Sequence, residues 1–296
     1  MLARGVVVLA LLVFGLGATS AGRGPAERTV DCKASAAGTT PITISSGGLS
    51  RSAVVHVPPA GKAGHPLPLV LAFHGAGANG GAMESYSGLS GVSDRHGFVV
   101  AYPSATGPRG YWNIAGPRGK APDDVQFAQD LISALEARLC LDPARIFATG
   151  VSNGGGMVAR LGCELSGTLR AIAPVAGGYS SLPGCTPVRP ISVLEIHGTH
   201  DWVVPYGGKG PARAGSARNY LRGWLARDHC PAHAARTVPA RKVVRLLWAP
   251  CVNGTAVAHL KVIGGTHEWP ESRPERTDRS PAISASQAVW QFFASR

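Results

Sequence analysis

Gly150-Val151-Ser152-Asn153-Gly154 sets a serine between two glycines, after the apolar run Arg145–Thr149 and ahead of a helical pattern through Met157, Val158 and Leu161. A sharp strand-to-helix turn of this kind lifts a serine hydroxyl above a sheet edge, and glycines on either side remove the Cβ atoms that would crowd it. A serine hydroxyl is a weak nucleophile at neutral pH, so it needs a base, an acid to orient that base, and donors for the oxyanion that develops. The base candidate is His267, in Gly264-Gly-Thr-His-Glu-Trp-Pro270, and the acid candidate is Asp201, in Ile196-His-Gly-Thr-His-Asp201. Glu195 competes as the acid but sits within a strand pattern. His197, His200 and His259 compete as the base, although the first two precede or adjoin the acid and the third falls within a strand. Phe73-His-Gly-Ala-Gly-Ala-Asn-Gly80 is a small-residue loop after an early apolar run. Backbone N–H groups at Gly75 or Ala76, with that of Asn153, are the expected oxyanion donors.

Such a set works only if strands and helices hold it. Leu67–Phe73, Phe98–Tyr102, Arg145–Thr149, Ala171–Val175 and Ile191–Ile196 are short continuous apolar runs bounded by turn residues, as expected of strands buried on both faces of a parallel sheet. Between two of them, Phe127, Leu131 and Leu135 and their neighbours make one apolar helical face over 124–139, and Asp123 with Gln126 reads as the capping box that starts it. Strands alternating with helices indicate βαβ units and an α/β sheet. Ser52–Val57 reads as an edge strand, and residues 21–50, rich in Ala, Gly, Ser and Thr, show little periodicity. From Gly207 to Gly264 the apolar share drops. A helix over 217–227 and strands over 243–248 and 256–263 are expected there, inside the same domain.

Composition bounds the rest. In 296 residues, 45% are hydrophobic and 16% charged, too apolar for a disordered chain. The formal charge of +12 would attract polyanions, yet the Arg and Lys residues are scattered and no aromatics interleave them, so no nucleic-acid partner is expected. Met1–Arg4 followed by the apolar stretch Val6–Leu16 and the small residues Ala18-Thr-Ser20 reads as a cleaved secretory signal over 1–21, since the run is too short to cross about 30 Å of hydrocarbon. An N-terminal extension (22–50) and one catalytic domain (51–296) follow, secreted, with no membrane anchor after cleavage. The six cysteines, Cys32, Cys140, Cys163, Cys185, Cys230 and Cys251, fit disulfides in an oxidising compartment. His229, Cys230 and His233 lie close together but lack paired Cys-x-x-Cys spacing, so no metal is expected.

Taken together, His74-Gly-Ala-Gly77, Asp123-Asp-Val125, Cys140–Gly156, Ala173-Pro-Val-Ala-Gly-Gly178, His197-Gly-Thr-His-Asp201 and Gly264–Pro270 resemble the secreted esterases that include feruloyl esterases and poly(3-hydroxybutyrate) depolymerases, over roughly residues 50–295. The resemblance implies an α/β-hydrolase fold: a mostly parallel central sheet flanked by helices, with a disulfide-bracketed insertion before the last strand. It implies Ser152, Asp201 and His267 as a triad that cleaves carboxylic esters through an acyl-enzyme, with no cofactor. His200 and Trp202 depart from the family's usual small residue before the acid and Pro or Gly after it. The helix after Ser152 carries Cys163 about 16 Å below the serine, towards the edge where Cys185 precedes its strand. Cys163–Cys185, Cys230–Cys251 and hence Cys32–Cys140 are the expected pairs, with Cys140–Cys163 the competitor. Trp202 and Trp269, each within two residues of a triad member, and Trp112, in a Gly/Pro loop, are the expected substrate-binding rings. They favour an aromatic or short acyl ester, such as a feruloyl group linked to a plant polysaccharide, over a polyester. A non-catalytic basic protein holding a polyanion is the reading from another class.

Overall fold

In the computed structural model the described residues are Met1, 36–59, 65–107, 109–115, 121–179, 185–208, 215–270 and 283–296. The chain divides into Met1–Asp31 and Cys32–Arg296. All that follows concerns the second unit. The expected leader, Met1 apart, and Cys32 lie outside the described residues.

The elements run β1 (Gly38–Ser46), β2 (Leu49–Val57), β3 (Leu67–Phe73), α1 (Gly80–Ser87), α2 (Leu89–His96), β4 (Val99–Pro103), α3 (Asp124–Glu136), β5 (Leu141–Val151), α4 (Asn153–Glu164), β6 (Ala171–Val175), β7 (Ser192–Gly198), α5 (Ala217–Arg227), β8 (Ala235–Ala240), β9 (Val243–Trp248), β10 (Val257–Val262) and α6 (Ala285–Ala294). One ten-stranded sheet takes the order β1-β2-β4-β3-β5-β6-β7-β10-β9-β8. The block from β4 to β10 is parallel, and an antiparallel hairpin flanks it on each side, β1–β2 and β9–β8.

The apolar runs expected as parallel strands are strands, and their side chains alternate between two core layers as the pleat requires. Leu69, Leu71 and Phe73 of β3 face the layer of α3, α4 and α5, with Phe127, Leu131, Leu161 and Trp224. Val70 and Ala72 face the layer of α1, α2 and α6, with Met83, Val92 and Phe293. Asp123 caps α3, its Oδ1 accepting from the N–H groups of Val125 and Gln126 at 3.1 Å each.

Ser52–Val57 is not an edge. It belongs to β2, between β1 and β4, and the edge on that side is β1. The threonines and serines of β1 give it the composition of a loop. Its β-branched Ile42 and Ile44 nonetheless pack against the core, and the strand pairs with β2 along its whole length. Cys163–Cys185 and Cys230–Cys251 are bonded, with Cα separations of 5.3 and 4.2 Å. The second bridge brackets the β8–β9 hairpin ahead of β10. Cys140 is disulfide-bonded too, which excludes the Cys140–Cys163 alternative since Cys163 is already paired.

Candidate active site

Ser152 joins β5 to α4 with φ 57° and ψ −118°, a conformation rare for a residue bearing a Cβ. Its N–H donates to the Val175 carbonyl at 3.0 Å, and its carbonyl accepts from Gly156 and Gly178 at 3.0 and 2.9 Å. The turn is possible because neighbouring backbones come so close. A Cβ on Gly154 would lie 2.2 Å from the Phe73 carbonyl oxygen, and one on Gly150 would lie 2.8 Å from the same atom.

Nε2 of His267 stands 2.9 Å from Oγ of Ser152, and Nδ1 stands 2.7 Å from Oδ2 of Asp201. The other carboxylate oxygen of Asp201 accepts from the N–H groups of Val203 and Val204 at 2.9 and 2.8 Å. Burial of Asp201 opposes its charge. The hydrogen bonds from His197, His267 and the Val204 N–H outweigh that and hold the carboxyl well below the usual carboxylate range. The three residues are brought together: β5 ends under Ser152, β7 runs towards Asp201, and the loop after β10 carries His267.

The expected oxyanion loop lies beside the serine, where a Cβ on Gly75 would be 3.5 Å from that of Ser152. His74 is buried and anchors the loop, its Nδ1–H donating to the Gly75 carbonyl at 2.7 Å and its Nε2 accepting from Ala105 N–H at 3.0 Å. Those roles require a neutral ring, and burial indeed lowers its pKa. The Asn153 side chain brackets the Trp112 backbone, accepting from its N–H at 2.7 Å and donating to its carbonyl at 3.2 Å. Asn153 is also the first residue of α4, where a backbone N–H has no partner within the helix.

A cavity of about 550 Å³ opens at Ser152 and His267, walled by Ala76, Ala78, Ala82, Met83, Tyr86, Val151 and Val203. Here the expectation for the tryptophans fails. Trp112 is buried, its ring 4.9 Å from that of His74 and its Nε1–H donated to the His74 carbonyl at 2.9 Å. Trp269 is buried as well, its Nε1–H donated to Ser286 Oγ at 3.0 Å. Both secure loops and neither lines the cavity. Trp202 is 71% exposed and stands outside the cavity wall. Tyr86 of α1 lines it together with His74 and His267, and its hydroxyl accepts from the Trp269 N–H at 2.8 Å. The sequence signal for that helix lies in its flanks: Asn79 caps it by accepting from Ala82 N–H, and Gly88 closes it at φ 65°.

The strand order and the serine turn define an α/β-hydrolase, and solved structures share the fold: an acetyl xylan esterase from Aspergillus awamori superposes with a TM-score of 0.62 at 15% identity, over 87% of this chain and 100% of that one. Residues 51–181 match the family model described as esterase PHB depolymerase. Feruloyl esterase B of Piromyces equi is 31% identical over 230 residues, 73% of this chain and 42% of its own length. NocK of Nocardia uniformis subsp. tsuyamanensis, which carries an esterase assignment in its name, is 31% identical over 259 residues, 78% of this chain and 74% of its own. The chain belongs to the esterase PHB depolymerase family. It spans less than half the length of the Piromyces relative.

Proposed function

We propose that the protein hydrolyses carboxylic esters through an acyl-enzyme on Ser152, and the observation that carries this is the Ser152–His267–Asp201 relay at 2.9 and 2.7 Å. His267 takes the hydroxyl proton as Oγ attacks the ester carbonyl, and gives it to the departing alcohol. Asp201 keeps Nδ1 protonated and steadies the imidazolium. Backbone N–H groups at Ala76 and Asn153, with Gly75 beside them, receive the oxyanion. His267 then activates the water that frees the acid.

The acyl group is neutral and apolar, feruloyl or short, because alanine, valine and methionine side chains and one tyrosine ring wall the cavity. Names such as feruloyl esterase B among the relatives agree with that class. The disulfides, with the leader expected over 1–21, support an extracellular enzyme.

Hydrolysis of nitrophenyl acetate by wild type and Ser152→Ala tests the reading. The variant should lose at least about 10³-fold in turnover, because triad members act as a unit. Equal rates would overturn it. For the acyl group, Tyr86→Ala should lose several-fold more activity on methyl ferulate than on nitrophenyl acetate, whereas Trp202→Ala should affect the two alike. Preferred hydrolysis of hydroxybutyrate oligomers over both esters would instead mark a polyester depolymerase.

A further inference from the structure

Asp201 touches two imidazoles. On the same carboxylate oxygen as His267 stands His197, four residues back along the chain on β7, with no side-chain exposure. Its Nδ1 is 2.8 Å from Oε1 of Glu195. Its Nε2 is 2.8 Å from the Val204 carbonyl oxygen and 3.3 Å from Oδ2 of Asp201. Each ring nitrogen thus faces oxygens that have no hydrogen to give. Either neutral tautomer would set a lone pair against an oxygen, in a place closed to solvent. Only the doubly protonated ring satisfies both sides.

That requires Glu195 to be ionised, and its surroundings keep it so. The Tyr179 hydroxyl donates to Oε1 at 2.8 Å. Nδ1 of His259 lies 2.6 Å from Oε2 and 3.2 Å from the Glu195 carbonyl oxygen. Burial opposes the charge on Glu195, and the adjacent His259 and His197 more than offset it, drawing the carboxyl down to about 2. For His197 burial is likewise the largest opposing effect, and the Glu195 carboxylate with the bonds to Asp201 and Val204 pushes the ring up to about 10.

We infer that His197 is a positioning residue, an imidazolium fixed between Glu195 and Asp201 that holds the Asp201 carboxylate in place and limits how firmly Asp201 retains a proton on His267. This rests on the hydrolytic reading above. The groups facing His197 come from four quarters. Glu195 lies on its own strand. Asp201 and Tyr206, whose ring is 5.9 Å away, come from the loop that follows. His259 and Lys261 come from β10, where Lys261 is in register with His197 and its Nζ lies 5.2 Å from the Tyr206 ring. Tyr179, at 6.4 Å, comes from the loop after β6 and stacks on Tyr220 of α5, and the charge of Arg218 reaches Tyr206 from the same helix. The two carboxylates are nearest and dominate.

His267 must be unprotonated to accept the serine proton, so activity falls on the acid side as it protonates. With the imidazolium gone, Asp201 would act on His267 with its full charge. In His197→Gln the acid limb of the kcat/KM profile for nitrophenyl acetate should rise by about one pH unit, as expected of one nearby charge removed. Glu195→Gln, which removes the anion that keeps the ring charged, should move the limb the same way and covers the case in which His197→Gln does not fold. A limb unmoved in both variants would overturn the positioning role. Separately, long-range 1H–15N spectra of the wild type at pH 8 should show both His197 ring nitrogens protonated, and a neutral ring would overturn the inference. This readout needs no turnover. If Ser152→Ala kept full activity, the hydrolytic reading would fall while the spectrum still decided the state of His197.

Discussion

The two antiparallel hairpins that flank the parallel block do different work. The β1–β2 flank is fastened to the site by buried charge. Arg51 of β2, fully buried, donates to Oδ1 of Asp124 at 2.7 Å while its guanidinium covers the Phe127 ring at 3.8 Å. Oδ2 of Asp124 accepts from the Asn113 N–H at 2.7 Å, and the next residue back is Trp112, which touches both Asn153 and the His74 carbonyl. The β9–β8 flank is tied down differently, the Lys242 carbonyl in its turn accepting from the Ile263 N–H at 2.7 Å. β8 is exposed along nearly its whole length, its pairing with β9 slips between Thr237 and Ala240, and the hairpin is bracketed by Cys230–Cys251. One flank supports the loop after β3 through Trp112. The other is held by a covalent clasp.

Removing the buried charge should have the largest effect. Arg51→Met leaves the Asp124 carboxylate buried without its cation, a loss of about 3–5 kcal/mol in chemical denaturation, and ester turnover should fall with it because Asn113 and Trp112 lose their anchor. If turnover per folded molecule were unchanged, the two flanks would be equivalent and the comparison would break. Next in size, Cys230→Ser with Cys251→Ser opens a bridge between residues separated by 21 positions, costing about 3 kcal/mol by loop entropy. Turnover at low temperature should stay intact. The smallest effect belongs to Asp228, just ahead of the clasp. Burial pushes its carboxyl up to about 7, more than the Ile191 N–H and Arg227 pull it down. A carboxyl raised on folding binds its proton more tightly in the folded chain, so stability falls as pH rises from about 4 towards 7. Asp228→Asn should therefore melt a few degrees above wild type at pH 8 and level with it at pH 4.

The same contrast explains which parts of the fold are legible in the amino-acid sequence. Strands of the parallel block are buried on both faces, so burial dictates nearly every residue and the runs at 67–73 and 171–175 stand out. α5 and β9 are bounded by their own patterns. β1 and β8 meet solvent, and threonine, serine and arginine there leave little periodicity to read. Ser152, Asp201 and His267 are legible because each stands in a short stretch whose neighbours are constrained by the turn it occupies. The roles of the tryptophans are not, since nearness along the chain to a reacting group says nothing about direction: Trp269 turns inward to Ser286 two residues after His267. Tyr86 reaches the cavity from a separate helix, by packing that no local pattern encodes. His197 and Glu195 have the pattern of ordinary buried strand residues, and only their distances reveal an ionic chain ending on Asp201.

Trp269 has a further consequence, for the order in which the molecule is made. Its N–H meets Tyr86, its indole meets Ser286, and the hydroxyl of Ser286 donates to the carbonyl of Ser87. The loop bearing His267 is thus clamped by α1 and α6 together, and His267 lies 115 residues beyond the serine it serves. Synthesis runs from the N-terminus, and long-range contacts close only when both partners have emerged. On the proposed mechanism, Ser152 can sit in its finished turn well before His267 has a seat, and a growing chain is chemically silent until α6 has docked.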